Sequence, residues 1–455
     1  MITCATRQRG LGVAPQTQVS ELGKNHMCQI TPFRAVRYAA SENDRDISTR
    51  LAPPYDVLSD DDKRELLARD AANFVKIDLP HTPPKDAGPA EVYEEARRQL
   101  EAWLADGTMV RDDQPAIYVY HQRFSAGGLE YTRKMFFARL RIEPFGTGSV
   151  FPHERTFGGP KEDRLALTKA TRANLSPIFG LYEDSENTVA ARLEVAIAEP
   201  LLTGRLDDTE NTVWAVNDPA VIEDVVQMMS AKAMYIADGH HRYGTAQLYR
   251  DWLTVQQGEL PEEHPANFVL CVFCAMEDPG LLILPTHRVL PGVAVNAATF
   301  KHDDRTEIAH LLIDRPEDAS DALVKFGPQA LAMWNAEDKS YFMLRPLDPE
   351  VLADLEPDRS PAWRKLALAF LHAYLLDRVV TPQVCDGEAP TVHYVKNASA
   401  AVDEARETGG TAFLMQATTM EELSAVCSAG DLMPQKSTFF FPKLASGLIV
   451  NPLYD

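Results

Sequence analysis

Five consecutive residues, Asp238-Gly239-His240-His241-Arg242, gather a carboxylate, two imidazoles and a guanidinium around one glycine. A strand-like run at 234–237 precedes them, and helical periodicity over 243–255 follows, with Tyr249, Trp252 and Leu253 on one side. Such a turn aims the first amides of the helix, which lack intrahelical acceptors, at whatever lies in front of it. Phosphate suits that place. Gly239 permits close approach, His240 and His241 add donors, and the planar fork of Arg242 matches two phosphate oxygens at once. Asp238 is placed to hold Mg2+ or to orient a substrate hydroxyl. The plainer account makes Asp238 a helix cap and the histidines solvated surface groups. Turns seldom concentrate this much titratable chemistry, which favours the functional account.

A second polar stretch runs from His153 to Arg172. After His153-Glu154-Arg155-Thr156-Phe157-Gly158-Gly159, Pro160 is a favoured first-turn residue, so a helix is expected to follow. On that helix Lys161, Arg164, Thr168 and Arg172 fall along one face and form an expected polyphosphate cradle. Glu154 precedes the flexible glycines and is the candidate for a general base or a metal carboxylate. The alternative is a solvated charged helix in which Glu162 and Asp163 neutralise those cations. His153-Glu154 lacks the second histidine of a zinc peptidase motif.

Two other motifs lead nowhere. Residues 430–437 read GDLMPQKS, the length of a phosphate-binding loop, but Gln435 stands where its second glycine belongs. A helical run (420–426) precedes it and a strand-like run (438–441) follows, the reverse of the order that faces helix amides to phosphate. Lys436 and Lys443 are read as solvated, or as arriving at an active site from this end of the chain. Cys271 and Cys274 form one CxxC inside an apolar run; with no second pair, they are expected to fill a buried strand.

Bulk properties narrow the classes. The chain has 455 residues, 45% apolar and 24% charged, the composition of a globular protein of two or three domains. Six cysteines are too few for a disulfide framework, and no apolar run approaches the ~20 residues that span a bilayer, so a cytoplasmic location without membrane contact is expected. A net charge of −21 disfavours nucleic acid as a partner, because such binding depends on Lys and Arg neutralising phosphates.

The elements that must carry these residues divide as follows. Residues 1–26 read as a disordered extension, with Met27 a plausible natural start. Residues 27–145 read as an N-terminal α+β domain. It contains strand-like 30–36, extended 51–57, an acidic helix after Ser59, strand-like 74–79, a helix at 90–105 and a hairpin of 117–124 with 131–142. Residues 146–294 hold the polar motifs, with a helix at 220–229 and strands at 268–276 and 281–284. Residues 295–455 read as a C-terminal α+β domain. The fold class expected is α+β (mixed α/β).

Together Ala52-Pro53-Pro54-Tyr55-Asp56, the stretch HERTFGGPKEDRLALTKA, the turn YIADGHHRY, Pro285-Thr286-His287-Arg288 and the ending MPQKSTFFFPKL resemble the bacterial DUF1015 proteins, from Met27 onward. More distantly, the DGHHR turn and upstream His-Glu resemble the ParB/sulfiredoxin superfamily, particularly its free serine kinase branch. That resemblance implies a ParB/sulfiredoxin-like central domain and a small-molecule kinase using ATP or ADP with Mg2+ to phosphorylate a small hydroxyl compound such as L-serine. It implies Glu154, Asp238 and His241 as catalytic residues, with Asp238 and Glu154 on Mg2+. Gly239, His240, Arg242, Lys161, Arg164 and Arg172 are the expected phosphate and nucleotide contacts. His240 stands where sulfiredoxins carry a reactive cysteine, which excludes their thiol chemistry at that position. The alternatives are a nucleotide-binding or sensing protein without turnover and, less favoured, a nucleic-acid-processing ParB relative. A homodimer is compatible with this reading.

Overall fold

In the computed structural model, which describes residues 28–454 apart from 42–43, 85, 146–147, 155–157 and 302, the apolar run at 268 forms the strand Phe268–Ala275, buried at every position. Val269, Cys271, Phe273 and Ala275 enter one hydrophobic cluster, and Leu270, Val272 and Cys274 another on the opposite face. A strand covered on both faces has no polar side, which explains its unbroken apolar sequence. Cys271 and Cys274 are the expected filling, free and fully buried. The proposed extension 1–26 and start at Met27 lie outside the described residues.

This strand lies inside a nine-stranded mixed sheet. From one edge the order is Val150–Phe151, Met234–Asp238, Ile178–Tyr182, Phe268–Ala275, Leu129–Arg141, Ile117–Ala126, Thr209–Val216 and Leu202–Leu206, with Ile30–Thr31 paired to the far end of Leu129–Arg141. A second sheet of six antiparallel strands contains Thr306–His310, Tyr341–Pro346, Leu331–Asn335, Thr411–Leu414, His287–Leu290 and His393–Val395, in that order. The boundaries expected at 145 and 294 do not follow these sheets. The hairpin of the first expected domain pairs on both sides with strands of the second, and His287–Leu290 belongs to the C-terminal sheet.

The end of the chain also crosses over. Phe439–Phe441 pairs with Leu282–Leu284, and the tail then bridges Ser446 to Ala52, Val450 to Val36 and Asn451 to Asn174. Residues 439–452 are thus built into the first sheet's surroundings rather than into the expected C-terminal domain.

Local signals place most helices. Ser59 and Asp62 form a reciprocal capping box at Asp60–Arg69, Pro219 opens Pro219–Ser230 behind an Asp218 cap, and Ala90–Ala105 runs as its periodicity requires. The strand expected at 74–79 is instead the short helix Val75–Asp78. Asn73 decides this: its side chain accepts from the Val75 amide and donates to the carbonyls of Thr49 and Leu51, turning the chain where β-propensity would extend it. Among the described residues no helix is long and apolar enough to cross a membrane.

Candidate functional site

The two polar stretches meet because their strands are parallel neighbours. Val150 pairs with Met234 and Phe151 with Tyr235, so both chains leave the sheet edge in the same direction. A bulge between Ile236 and Asp238, against Ile178–Tyr182, re-aims the end of the strand. Gly239 then turns the chain with φ +89°, a left-handed conformation that suits glycine, and the helix His240–Gln257 begins with no side chain capping it. A β-carbon at Gly239 would crowd the Arg242 guanidinium at 3.0 Å and the Ile178 backbone at 3.1 Å.

Asp238 is not a solvated cap. Its Oδ2 lies 3.2 Å from Lys443 Nζ and 3.5 Å from Arg242 Nη2, and its Oδ1 accepts from the Gly239 amide at 3.0 Å. Burial opposes ionisation of this carboxyl, but Lys443 and Arg242 outweigh it and hold its pKa well below the usual range. Three donors thus surround this carboxylate, one on Oδ1 and two on Oδ2. Arg242 also donates to the Pro177 carbonyl, so the turn is braced from the neighbouring strand.

Behind the turn two histidines form a buried pair. Their rings meet edge-on with centroids 4.5 Å apart, and the His153 amide donates to Nε2 of His240 at 3.1 Å. His153 Nδ1 is 2.6 Å from the Ile236 carbonyl oxygen, which can only accept, so Nδ1 carries the proton and Nε2 accepts from Thr438 Oγ1 at 3.0 Å. Desolvation lowers the pKa of both rings, keeping them neutral. His153, Glu154 and His240 bring one potential ligand atom each within 4.8 Å of one another. An amide already occupies Nε2 of His240, which leaves the proton on its Nδ1. His153 Nε2 is likewise engaged by Thr438, so the lone pairs on offer are those of the Glu154 carboxylate, whose Oε1 lies 4.0 Å from that nitrogen. Mg2+ prefers oxygen and commonly takes one or two carboxylates plus substrate phosphates.

The cations gather on the open side. His241, half-buried, has its pKa lowered first by desolvation and then by Lys161, with Lys436 adding to the effect and Glu154 and Asp56 opposing it. Lys161 also packs its stem 3.2 Å from where a β-carbon of Gly244 would stand. From the other side Lys396 Nζ sits 3.9 Å from the centroid of the Phe439 ring and Lys443 Nζ 5.4 Å from it. Burial, then the Lys443 charge, pushes the Lys396 pKa down. Lys396, Lys443, Phe439 and Phe441 line a cleft of about 520 Å3 together with Pro53, Pro54 and the carboxylates of Asp62, Glu65, Asp207 and Asp208, a volume in the range of small-molecule sites.

Other expected contacts fall elsewhere. Arg164 is buried, with Nη2 2.6 Å from Asp163, Nη1 donating at 2.5 Å to the Asp78 carbonyl, and its guanidinium 4.0 Å over the Tyr55 ring. It lines a separate cavity of about 40 Å3 at the back of Arg242. Arg172 ends the same helix region with φ +52° and lies over Tyr454 at 5.1 Å. That is roughly 16 Å along the helix from Lys161 at the standard rise. The expected cradle therefore splits, because 161, 164 and 172 share a stripe on the helix but meet different neighbours along its length. Lys396, Thr438 and a direct His153 contact were not among the candidates. The ending MPQKSTFFFPKL marked the segment of Thr438; for Lys396 no local signal existed.

A family model described as "Protein of unknown function (DUF1015)" matches residues 30–366. No curated protein matches the chain. Among solved structures, a mutant free serine kinase in complex with ADP aligns at 12% identity over 66% of this chain and 89% of its own, with a TM-score of 0.33. C-terminally truncated SbnI from Staphylococcus aureus aligns at 11% identity over 70% and 87%, TM-score 0.33. A conserved hypothetical protein from Pyrococcus furiosus aligns at 14% identity over 67% and 92%, TM-score 0.30.

Proposed function

The chain belongs to the DUF1015 family, and we propose that it is a nucleotide-dependent phosphotransferase whose acceptor is a small hydroxyl compound. The observation that carries this reading is the convergence of cations on the turn: Lys443 and Arg242 act on Asp238, Lys161 and Lys436 on His241, and Lys443 and Lys436 on Lys396, with Lys396 and Lys443 also lining the ligand-sized cleft. In a chain of net charge −21 such a cluster is held together against its own repulsion, and a polyphosphate is the ligand that relieves it. Phosphoryl transfer asks a protein mainly for positioning and charge neutralisation, which this arrangement supplies.

In this reading the lysines and the uncapped first turn of His240–Gln257 hold the phosphates of ATP or ADP, while the rest of the nucleotide occupies the cleft. Glu154 takes the proton of the acceptor hydroxyl. The acceptor oxygen forms a bond to the terminal phosphorus as the bond to the leaving nucleotide oxygen breaks, and the nucleotide departs with that electron pair. Asp238, held ionised, keeps Lys443 and Arg242 in place. Mg2+, bound through Glu154 and the phosphates, would supply charge neutralisation. The resemblance of the DGHHR turn to the free serine kinase branch puts L-serine forward as acceptor.

The test is incubation of purified protein with ATP or ADP, Mg2+ and L-serine, followed by 31P NMR for phosphoserine. Glu154→Gln should lose about 10²–10⁴-fold in rate, the usual contribution of a general base, while still binding nucleotide. No product and no nucleotide consumption with ATP, ADP or CTP would overturn the proposal.

A further inference from the structure

Lys436 and Lys443 reach the site from the segment 433–445, which is irregular apart from Phe439–Phe441. Something must hold its backbone, and two arginines do. Arg133 and Arg288 head the largest fully buried side chains of the protein, each 0% exposed, and among the described residues neither has a carboxylate within ion-pair distance. Each guanidinium donates to two successive carbonyls of this segment. Arg133 Nη2 donates to the Pro442 carbonyl at 2.6 Å and Nη1 to that of Phe441 at 3.4 Å. Nη2 also donates to Gln122 Oε1, and Gln122 Nε2 in turn donates to the Lys443 carbonyl at 3.1 Å. Arg288 Nη2 donates to the carbonyls of Gln435 and Lys436, both at 3.0 Å, and Nη1 to that of Thr286.

A buried guanidinium with no carboxylate in direct contact is costly, and desolvation lowers the pKa of both side chains, opposed for Arg133 by the more distant Asp278. Carbonyls could be satisfied more cheaply by neutral amides. A forked cation adds two things: it grips two successive carbonyls at once, and it places a fixed positive charge behind the lysines. The grips divide the segment in two. Arg288 holds the backbone of Lys436, at φ +56°, and Arg133 with Gln122 holds the carbonyls on either side of the link into Lys443.

We propose that Arg133 and Arg288 are positioning residues for the phosphate site, Arg133 fixing Lys443 and Arg288 fixing Lys436. This rests on the reading of those lysines as phosphate ligands, but the placement itself is testable without any nucleotide. Amine acetylation of the folded protein, read by mass spectrometry residue by residue, reports each lysine separately. Arg133→Met should raise the acetylation rate of Lys443 roughly tenfold, the equivalent of one lost hydrogen-bonded grip, and leave that of Lys436 unchanged. Arg288→Met should do the converse. Because either variant could fail to fold, Arg133→Lys and Arg288→Lys provide a second pair that keeps the charge and loses the fork; they should show the same selectivity with smaller changes.

Titration with ADP then separates the two ideas. Selective lysine release with weaker ADP binding supports both. Selective release in a protein that never binds ADP keeps the positioning and removes the nucleotide reading. Folded variants in which both lysines change together, or neither does, overturn the positioning.

Discussion

Replacing Lys443 by methionine tests the electrostatics of the site most directly. The ammonium is 3.2 Å from Asp238, and the two side chains are 27% and 25% exposed, so the pair is screened only in part. A hydrogen bond to a charged group contributes roughly 1.5–3 kcal/mol when buried. Discounted for that exposure, and because Arg242 remains 3.5 Å from the same oxygen, the expected loss of stability in urea is about 1–2 kcal/mol. Phosphate binding loses twice over: a cation is removed, and the less neutralised Asp238 repels the ligand more strongly. A cost of about 1.4 kcal/mol corresponds to a tenfold weaker Kd for ADP by calorimetry. Adding Asp238→Asn to the same chain removes the stranded charge, so the double variant should recover most of the stability. Its binding should sit between that of the single variant and the parent. A Lys443→Met protein with unchanged stability and unchanged ADP affinity would refute the assignment of Lys443 to the site.

Three further outcomes follow from the same geometry. Asp238→Asn alone should retain ADP binding, since a negative charge leaves the phosphate site, yet abolish phosphoserine formation as Lys443 and Arg242 lose their anchor; loss of binding by calorimetry would count against the role given to Asp238. Acid should destabilise the fold in a defined window: burial lowers the pKa of His287 and His372 from 6.5 to about 4, so their contribution is complete above pH 6.5 and is lost as pH falls through 4. That contribution is about 3 kcal/mol apiece at most, opposed in sign by the raised carboxyl of Asp78, and a urea midpoint flat from pH 7 to pH 4 would contradict it. Cys271 and Cys274, fully buried with pKa values pushed well up by desolvation, should resist a thiol reagent until urea unfolds the chain; rapid labelling of either in the native state would contradict their place in the central strand.

What could be read from the chain alone was whatever local physics controls. The helix Ala90–Ala105, the hairpin strands Ile117–Ala126 and Leu129–Arg141, the buried run at 268 and the strand-turn-helix at Asp238 follow from periodicity, caps and one glycine, all encoded within a few residues. The motif pattern likewise pointed to the DUF1015 family. Tertiary structure decided what no window of sequence contains. The parallel pairing of Val150–Phe151 with Met234–Asp238 brings His153 onto His240 from 87 positions away, and the crossing tail delivers Lys443 to a carboxylate 205 positions upstream. Asn73 overrode a local β preference, and Asp78 with Tyr55 drew Arg164 inward from the expected cradle. A side chain's type declares which contacts it can make. Which contact it does make depends on what the rest of the chain sets within ~4 Å of it, where Coulomb and hydrogen-bond energies become large.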